Sequence, residues 1–109
     1  ISKAHNMTER LNDATAHAEM LAITAAQNYT GSKYLRDCTL YVTIEPCAMC
    51  ASAAYWSQIS RIVFGASDPK KGFSLFNPSL IHPKTSVVPG ILENECSEIL
   101  VDFFKRKRF

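Results

Sequence analysis

Thr-Leu-Tyr-Val-Thr-Ile-Glu-Pro-Cys-Ala-Met-Cys, residues 39–50, is the stretch that decides the fold of this chain. Its first half is β-branched and aromatic, a composition that predicts a buried strand over residues 38–44. Pro46 ends that strand and suits the start of a helix, because the first backbone N–H groups of a helix have no partner within it. A strand that leads directly into a helix over residues 47–57 is typical of an α/β layer fold.

The segments on either side continue this alternation. Apolar residues at three- and four-residue spacing predict a helix that starts near Thr15 and ends at Gly31. We therefore expect one α/β domain over residues 1–109. The other predicted elements are the tail of a strand at 1–5, a short strand at 61–65, a region at 68–84 that is mostly loop, a strand at 85–88 and an amphipathic helix at 92–108.

The composition is that of an ordinary globular domain, with 47% hydrophobic and 20% charged residues. No apolar run approaches the ~20 residues that cross a membrane, and there is no pattern typical of export. Four cysteines, two of them in a metal-type pair, fit a reducing compartment better than a disulfide framework. The sequence therefore predicts a cytoplasmic protein.

The net charge of +2 is concentrated at one end of the chain. Four of the twelve basic residues are Lys105, Arg106, Lys107 and Arg108, and the rest of the chain is slightly acidic. On charge alone, a solvated helix end and a patch that contacts phosphates explain this cluster equally well.

Two short motifs supply the chemistry, His17-Ala18-Glu19 and Pro46-Cys47-Ala48-Met49-Cys50. His17, Cys47 and Cys50 would give a metal ion three protein ligands and leave one tetrahedral position open, which is the arrangement of a catalytic zinc site. Soft thiolates favour zinc among the divalent ions. We expect both motifs at helix N-termini, where the positive end of the helix dipole lowers the pKa of the two thiols.

Glu19 is the candidate acid–base group. The combination of His-x-Glu with Pro-Cys-x-x-Cys is the pattern of zinc-dependent nucleobase deaminases, in which the glutamate moves protons and is not a ligand. On its own, a first-turn carboxylate could simply be stabilised by the helix dipole.

A Cys-x-x-Cys pair also occurs in redox sites and structural zinc sites. A redox pair does not require His-x-Glu. A structural site needs a fourth ligand, for which the sequence offers Cys38, Cys96, His5 and His82. The acidic residue beside the histidine favours the catalytic interpretation.

The chain resembles the cytidine deaminase superfamily and, within it, the bacterial tRNA adenosine deaminases. The resemblance implies conversion of adenosine to inosine at the tRNA wobble position, one zinc ion per chain, and a homodimer. It implies a three-layer α/β/α fold around a mixed five-stranded sheet. The family's first helix and first strand have no counterpart here, so we expect an N-terminally truncated domain. The segments that carry the resemblance are 12–19, 39–50, 61–68, 90–96 and 102–108.

The resemblance also implies substrate contacts. Asn6 matches an asparagine that hydrogen-bonds the target base, although a turn-former is the simpler explanation of that residue alone. Asp13 and Asp68 match loop positions near the RNA backbone and sugar, and for Asp13 a helix cap is an equal alternative. Residues 105–108 match the part that meets the anticodon stem, so a tRNA anticodon stem-loop is expected as partner, and DNA is not. The positions that line the base pocket and the anticodon path are Ala18, Ile44 and Glu45.

One region departs from the family pattern. Phe-Ser-Leu-Phe-Asn-Pro-Ser at 73–79 replaces a stretch of small residues, and His82-Pro83-Lys84-Thr85 stands where an Asn-His pair is usual. Two other functions therefore stay open. A deaminase of free guanine, cytosine or a nucleoside would not need the basic C-terminus. A zinc-binding accessory subunit could dispense with Glu19, which this chain retains.

Overall fold

A computed structural model describes residues 2–92 and 94–95 of the chain. In chain order these residues form α1 (Ala18–Thr30), β1 (Thr39–Ile44), α2 (Ala48–Ser57), β2 (Arg61–Ala66) and β3 (Ser86–Val88). Two short 3-10 turns, Phe73–Leu75 and Pro78–Leu80, lie between β2 and β3. Most of the predicted helix at 92–108, including its four basic residues, lies outside the described residues.

The three strands form a parallel sheet in the order β1-β2-β3. Thr39 pairs with Arg61 at one end of β1, and Ile44 pairs with Ala66 at the other. Neighbouring parallel strands need a crossover connection, and α2 supplies the one between β1 and β2. Since α1 packs on α2, the crossover helix and the helix before β1 form one layer.

The core lies where these helices meet β1 and β2. Ile62 and Cys50 are completely buried. The buried core cluster consists of Ile23, Ala26, Leu35, Leu40, Ala54, Ile59, Ile62 and Phe64.

Within the described part of the chain, no helix is long and apolar enough to span a bilayer.

The ends of the helices follow from local chemistry. Gly31 closes α1 with φ of 70°, a left-handed conformation that glycine adopts without steric cost, and its N–H donates to the Gln27 carbonyl. Gln58 closes α2 in the same conformation, with φ of 56°. Its side-chain oxygen accepts a 2.8 Å hydrogen bond from the Arg36 Nε, which helps to hold this less favourable residue in place.

The predicted α/β class is confirmed, and the strand and helix around residues 39–57 lie where the sequence placed them. The prediction that this strand is buried is wrong for the described residues, because Leu40 is the one buried residue of β1. In the described residues the sheet has three parallel strands, whereas the resemblance implied five strands in a mixed sheet. The predicted strand at the start of the chain is wrong for residues 2–5, which have no regular structure. The Ser2 hydroxyl donates to the Ala22 carbonyl at 2.8 Å, so this segment contacts α1.

Candidate metal centre

The two chemical motifs begin the two helices, as the sequence predicts. His17 is the N-cap of α1 and Cys47 is the N-cap of α2, both with extended backbone angles. Cys50 lies in the first turn of α2. Because the two helices pack on each other, their N-terminal ends bring these three side chains together.

The turn before His17 is fixed by its own hydrogen bonds. The Met7 N–H donates to the Ala16 carbonyl at 2.9 Å. The Asp13 carboxylate accepts from the N–H and the hydroxyl of Thr15 at 2.9 and 2.8 Å, and these two bonds lower the pKa of Asp13. Asp13 therefore caps this turn, whereas the N-cap of α1 itself is His17.

The three predicted ligands have the spacing of a zinc site. The Nδ1 atom of His17 lies 3.7 Å from the Cys47 Sγ and 3.6 Å from the Cys50 Sγ. Zn–N and Zn–S bonds of about 2.0 and 2.3 Å at tetrahedral angles place nitrogen and sulfur about 3.5 Å apart. All three ligand atoms lie within 4.8 Å of one another. The two nitrogen–sulfur distances therefore fit one shared zinc ion.

Electrostatics at this centre also favour a cation. Burial raises the pKa of the Cys50 thiol above its usual range, and the negative charges of Glu19 and Cys47 raise it further. Desolvation of this buried thiol acts against the stabilisation that a helix N-terminus gives to a thiolate, so the predicted effect of the helix dipole on this pKa stays a prediction. A divalent cation among the donors stabilises the thiolates and removes this penalty.

The candidates for a fourth protein ligand do not join the cluster where the structure describes them. Cys38 packs against the hydrophobic core. His82 accepts a 3.1 Å hydrogen bond from the Lys84 N–H through its Nδ1, and His5 is exposed in the N-terminal segment. Cys96 lies outside the described residues. Three ligands among the described residues leave a position free for water, as a hydrolytic zinc site requires.

Glu19 lies in the first turn of α1, two residues after the histidine ligand. It is half-buried, and its charge contributes to the raised pKa of Cys50. Together with Ala18 and Ile44 it lines a cavity of about 420 Å³ between α1 and β1. Three of the predicted site residues, Ala18, Glu19 and Ile44, therefore line the same cavity.

The other predicted contacts lie on loops. Asn6 is exposed, and its side-chain oxygen accepts from the N–H and the hydroxyl of Thr8 at 3.1 and 3.0 Å. The Asp68 carboxylate accepts from the N–H groups of Lys70 and Lys71, both at 3.0 Å. Both residues therefore shape turns, and their contacts with substrate stay predictions. Residues 105–108 lie outside the described residues.

Glu45 has a position that its sequence context did not indicate. The side chain is buried, with 2% of its surface exposed. Its two oxygens accept from the backbone N–H groups of Asp68 and Ser74, which follow it by 23 and 29 residues. No local pattern predicts such distant partners.

Known proteins share this site and fold. The family model of the cytidine and deoxycytidylate deaminase zinc-binding region matches residues 1–66. The tRNA-specific adenosine deaminase of Aquifex aeolicus (strain VF5) is 50% identical over 115 residues, which cover 99% of this chain and 74% of that protein.

Two solved structures extend the comparison. One comes from work on A-to-I editing by tRNA:A34 deaminases at the wobble position of transfer RNA. It is 40% identical, with a TM-score of 0.79 over 87% of this chain and 72% of that one. A guanine deaminase from Nitrosomonas europaea also has a TM-score of 0.79, at 23% identity over 92% of this chain and 63% of that one. The second likeness is one of fold alone.

Proposed function

This chain belongs to the cytidine and deoxycytidylate deaminase family, and we propose that it converts adenosine to inosine at the wobble position of a tRNA. The observation that carries the proposal is the three-ligand cluster with Glu19 beside it. The choice of substrate is supported by the 50% and 40% identities to proteins named for adenosine deamination in tRNA.

The residues of the centre suit hydrolysis at an amidine-like carbon. His17, Cys47 and Cys50 would hold a zinc ion, which would supply the chemistry of an activated water molecule with a pKa of about 7. Glu19 would accept a proton from water and pass protons to the ring nitrogen and to the departing amine. Adenosine and water then give inosine and ammonia, with the C6 amino group replaced by a carbonyl oxygen.

We also propose an RNA partner for this chain and substrate contacts for the remaining site residues. A tRNA anticodon stem-loop would contact Asn6, Asp13 and Asp68, and its phosphates would lie against the basic residues 105–108. The base would lie beside Ala18 and Ile44. We further propose one domain over residues 1–109, assembly as a homodimer, and a cytoplasmic location.

Mass spectrometry of the reaction product tests this function. The zinc-loaded protein is incubated with an anticodon stem-loop that carries adenosine at the wobble position, and the nucleoside digest is analysed for inosine. A matched stem-loop with its adenosine one nucleotide away should stay unmodified. If the protein forms no inosine but releases ammonia from free guanine or cytosine, the substrate is a free base and the proposal is wrong.

The basic C-terminus provides a prediction about affinity. Replacing Lys105, Arg106, Lys107 and Arg108 with glutamine should raise the KM for the stem-loop about tenfold at low salt, because phosphate contacts supply most of the affinity for RNA. It should also flatten the dependence of KM on salt concentration, whereas exposed Lys33→Gln should change neither. Measuring KM at several salt concentrations checks this. An unchanged slope in the quadruple variant would show that these residues do not contact the RNA.

A further inference from the structure

We propose that Glu45 is a positioning residue whose buried carboxylate holds the loop of residues 68–74 against the segment that carries Cys47. The inference deepens the proposed function, because Asp68 on this loop is a proposed RNA contact. The contacts that support it do not depend on which substrate the protein binds.

The carboxylate joins both ends of the loop. Its Oε1 accepts from the Asp68 N–H at 3.1 Å, and its Oε2 accepts from the Ser74 N–H at 2.8 Å. The side chain is 2% exposed, and a buried carboxylate is costly unless hydrogen bonds replace its water. The loop supplies those hydrogen bonds, so the loop and the carboxylate stabilise each other.

Backbone contacts extend this attachment to the metal ligand. The Phe73 N–H donates to the Pro46 carbonyl at 2.9 Å. Gly72 pairs with Cys47 in an isolated antiparallel bridge. A loop held by Glu45 therefore lies directly against the N-cap of α2, where Cys47 enters the candidate metal centre.

Gly72 completes the arrangement by leaving room for the carboxylate. Its φ of −61° is accessible to any residue, so backbone conformation does not require glycine here. A Cβ atom at this position, however, would overlap the carboxyl group of Glu45. The loop can close over the carboxylate only because residue 72 has no side chain.

This geometry assigns Glu45 an indirect part in substrate binding. The resemblance implied that it lines the path of the substrate, but both of its oxygens bond the loop and little of its surface is exposed. We infer that Glu45 acts on the substrate by fixing the loop that carries Asp68.

Amide hydrogen exchange tests the attachment directly. In zinc-loaded Glu45→Ala, the N–H groups of Asp68 and Ser74 should exchange at least about tenfold faster, because both lose their acceptor. The Gly31 N–H, which donates to the Gln27 carbonyl at the end of α1, is the internal control and should not change. Zinc content should stay at one ion per chain. Unchanged exchange at Asp68 and Ser74 would overturn the inference, whatever the substrate proves to be.

A double-mutant comparison tests the fit between Gly72 and the carboxylate. Gly72→Ala alone should accelerate exchange at Asp68 and Ser74, because the added methyl group displaces the Glu45 side chain. In the Glu45→Ala background the same substitution should have no further effect, since the obstructing group is gone. Equal effects of Gly72→Ala in both backgrounds would show that the two residues act independently, and the inference would be wrong.

Kinetics on the anticodon stem-loop separate positioning from general destabilisation. Glu45→Ala should raise KM about tenfold and change kcat less than threefold, because Glu19 and the zinc ligands keep their places. Glu45→Gln keeps one acceptor oxygen and should restore protection at one of the two amides, with an intermediate KM. Ile62→Val, which removes one buried methyl group from the core, should leave KM unchanged. A decrease in kcat of Glu45→Ala with an unchanged KM would contradict the positioning role.

Discussion

Glu19→Gln is expected to abolish deamination while the protein keeps its zinc. Glutamine matches glutamate in shape but cannot accept a proton from water or pass protons to the base. General acid–base catalysis typically contributes up to ~10⁴-fold, so turnover should fall by about 10³-fold or more. Inosine formation on the stem-loop, measured under single-turnover conditions beside the zinc content, checks this expectation.

The exposed Glu9→Gln provides the matched control for Glu19. It removes the same charge from the turn before α1 and should leave turnover unchanged. Retained activity in Glu19→Gln would show that another group moves the protons. Loss of zinc together with activity would instead show that Glu19 helps to hold the metal.

Cys50→Ser should remove zinc and most of the stability that zinc provides. A serine hydroxyl is a much poorer zinc ligand than a thiolate. A ligand that binds only the folded state adds about 4 kcal/mol to the free energy of unfolding when its free concentration is about a thousand times its dissociation constant. Losing that contribution should lower the melting temperature of a domain of this size by about 10 °C or more.

A chelator and a second cysteine variant make the test specific to the metal. Chelation should destabilise the wild-type protein strongly and Cys50→Ser hardly at all, because the variant has no zinc to lose. Cys38→Ser changes a half-buried cysteine outside the cluster and should retain one zinc per chain. Full zinc occupancy in Cys50→Ser, measured by metal analysis, would contradict the assigned ligand set.

The elements that carry the metal ligands were predictable because their signals are local. Pro46 marks the start of α2 and Gly31 marks the end of α1, and each acts through its own backbone geometry. Cys47 and Cys50 are three residues apart, a spacing that a single helical turn brings to one side. His17 is distant in sequence from the two cysteines, and it could be predicted as the third metal ligand only because the combination of His-x-Glu with Pro-Cys-x-x-Cys is specific.

The features that sequence analysis missed depend on tertiary contacts. The pKa of Cys50 is raised because the rest of the fold buries its thiol. This burial could not be predicted from the position of Cys50 near a helix N-terminus. The role of Glu45 depends on Asp68 and Ser74, which a loop brings back to the end of β1. The strand predicted at residues 1–5 is wrong over residues 2–5, because so short a segment contains too little pattern to separate a strand from a chain lying along a helix.

The separation of 30 positions along the chain between His17 and Cys47 gives the metal a topological role. In the unfolded chain these ligands belong to independent stretches, and bringing them together costs loop-closure entropy of about 3 kcal/mol for a loop of this size. The two cysteines can meet a metal ion within one turn, but the imidazole arrives only after α1 has docked on α2. A complete set of ligands therefore exists only in a chain in which α1 has docked on α2, and zinc held by all three ligands reports that this docking has taken place.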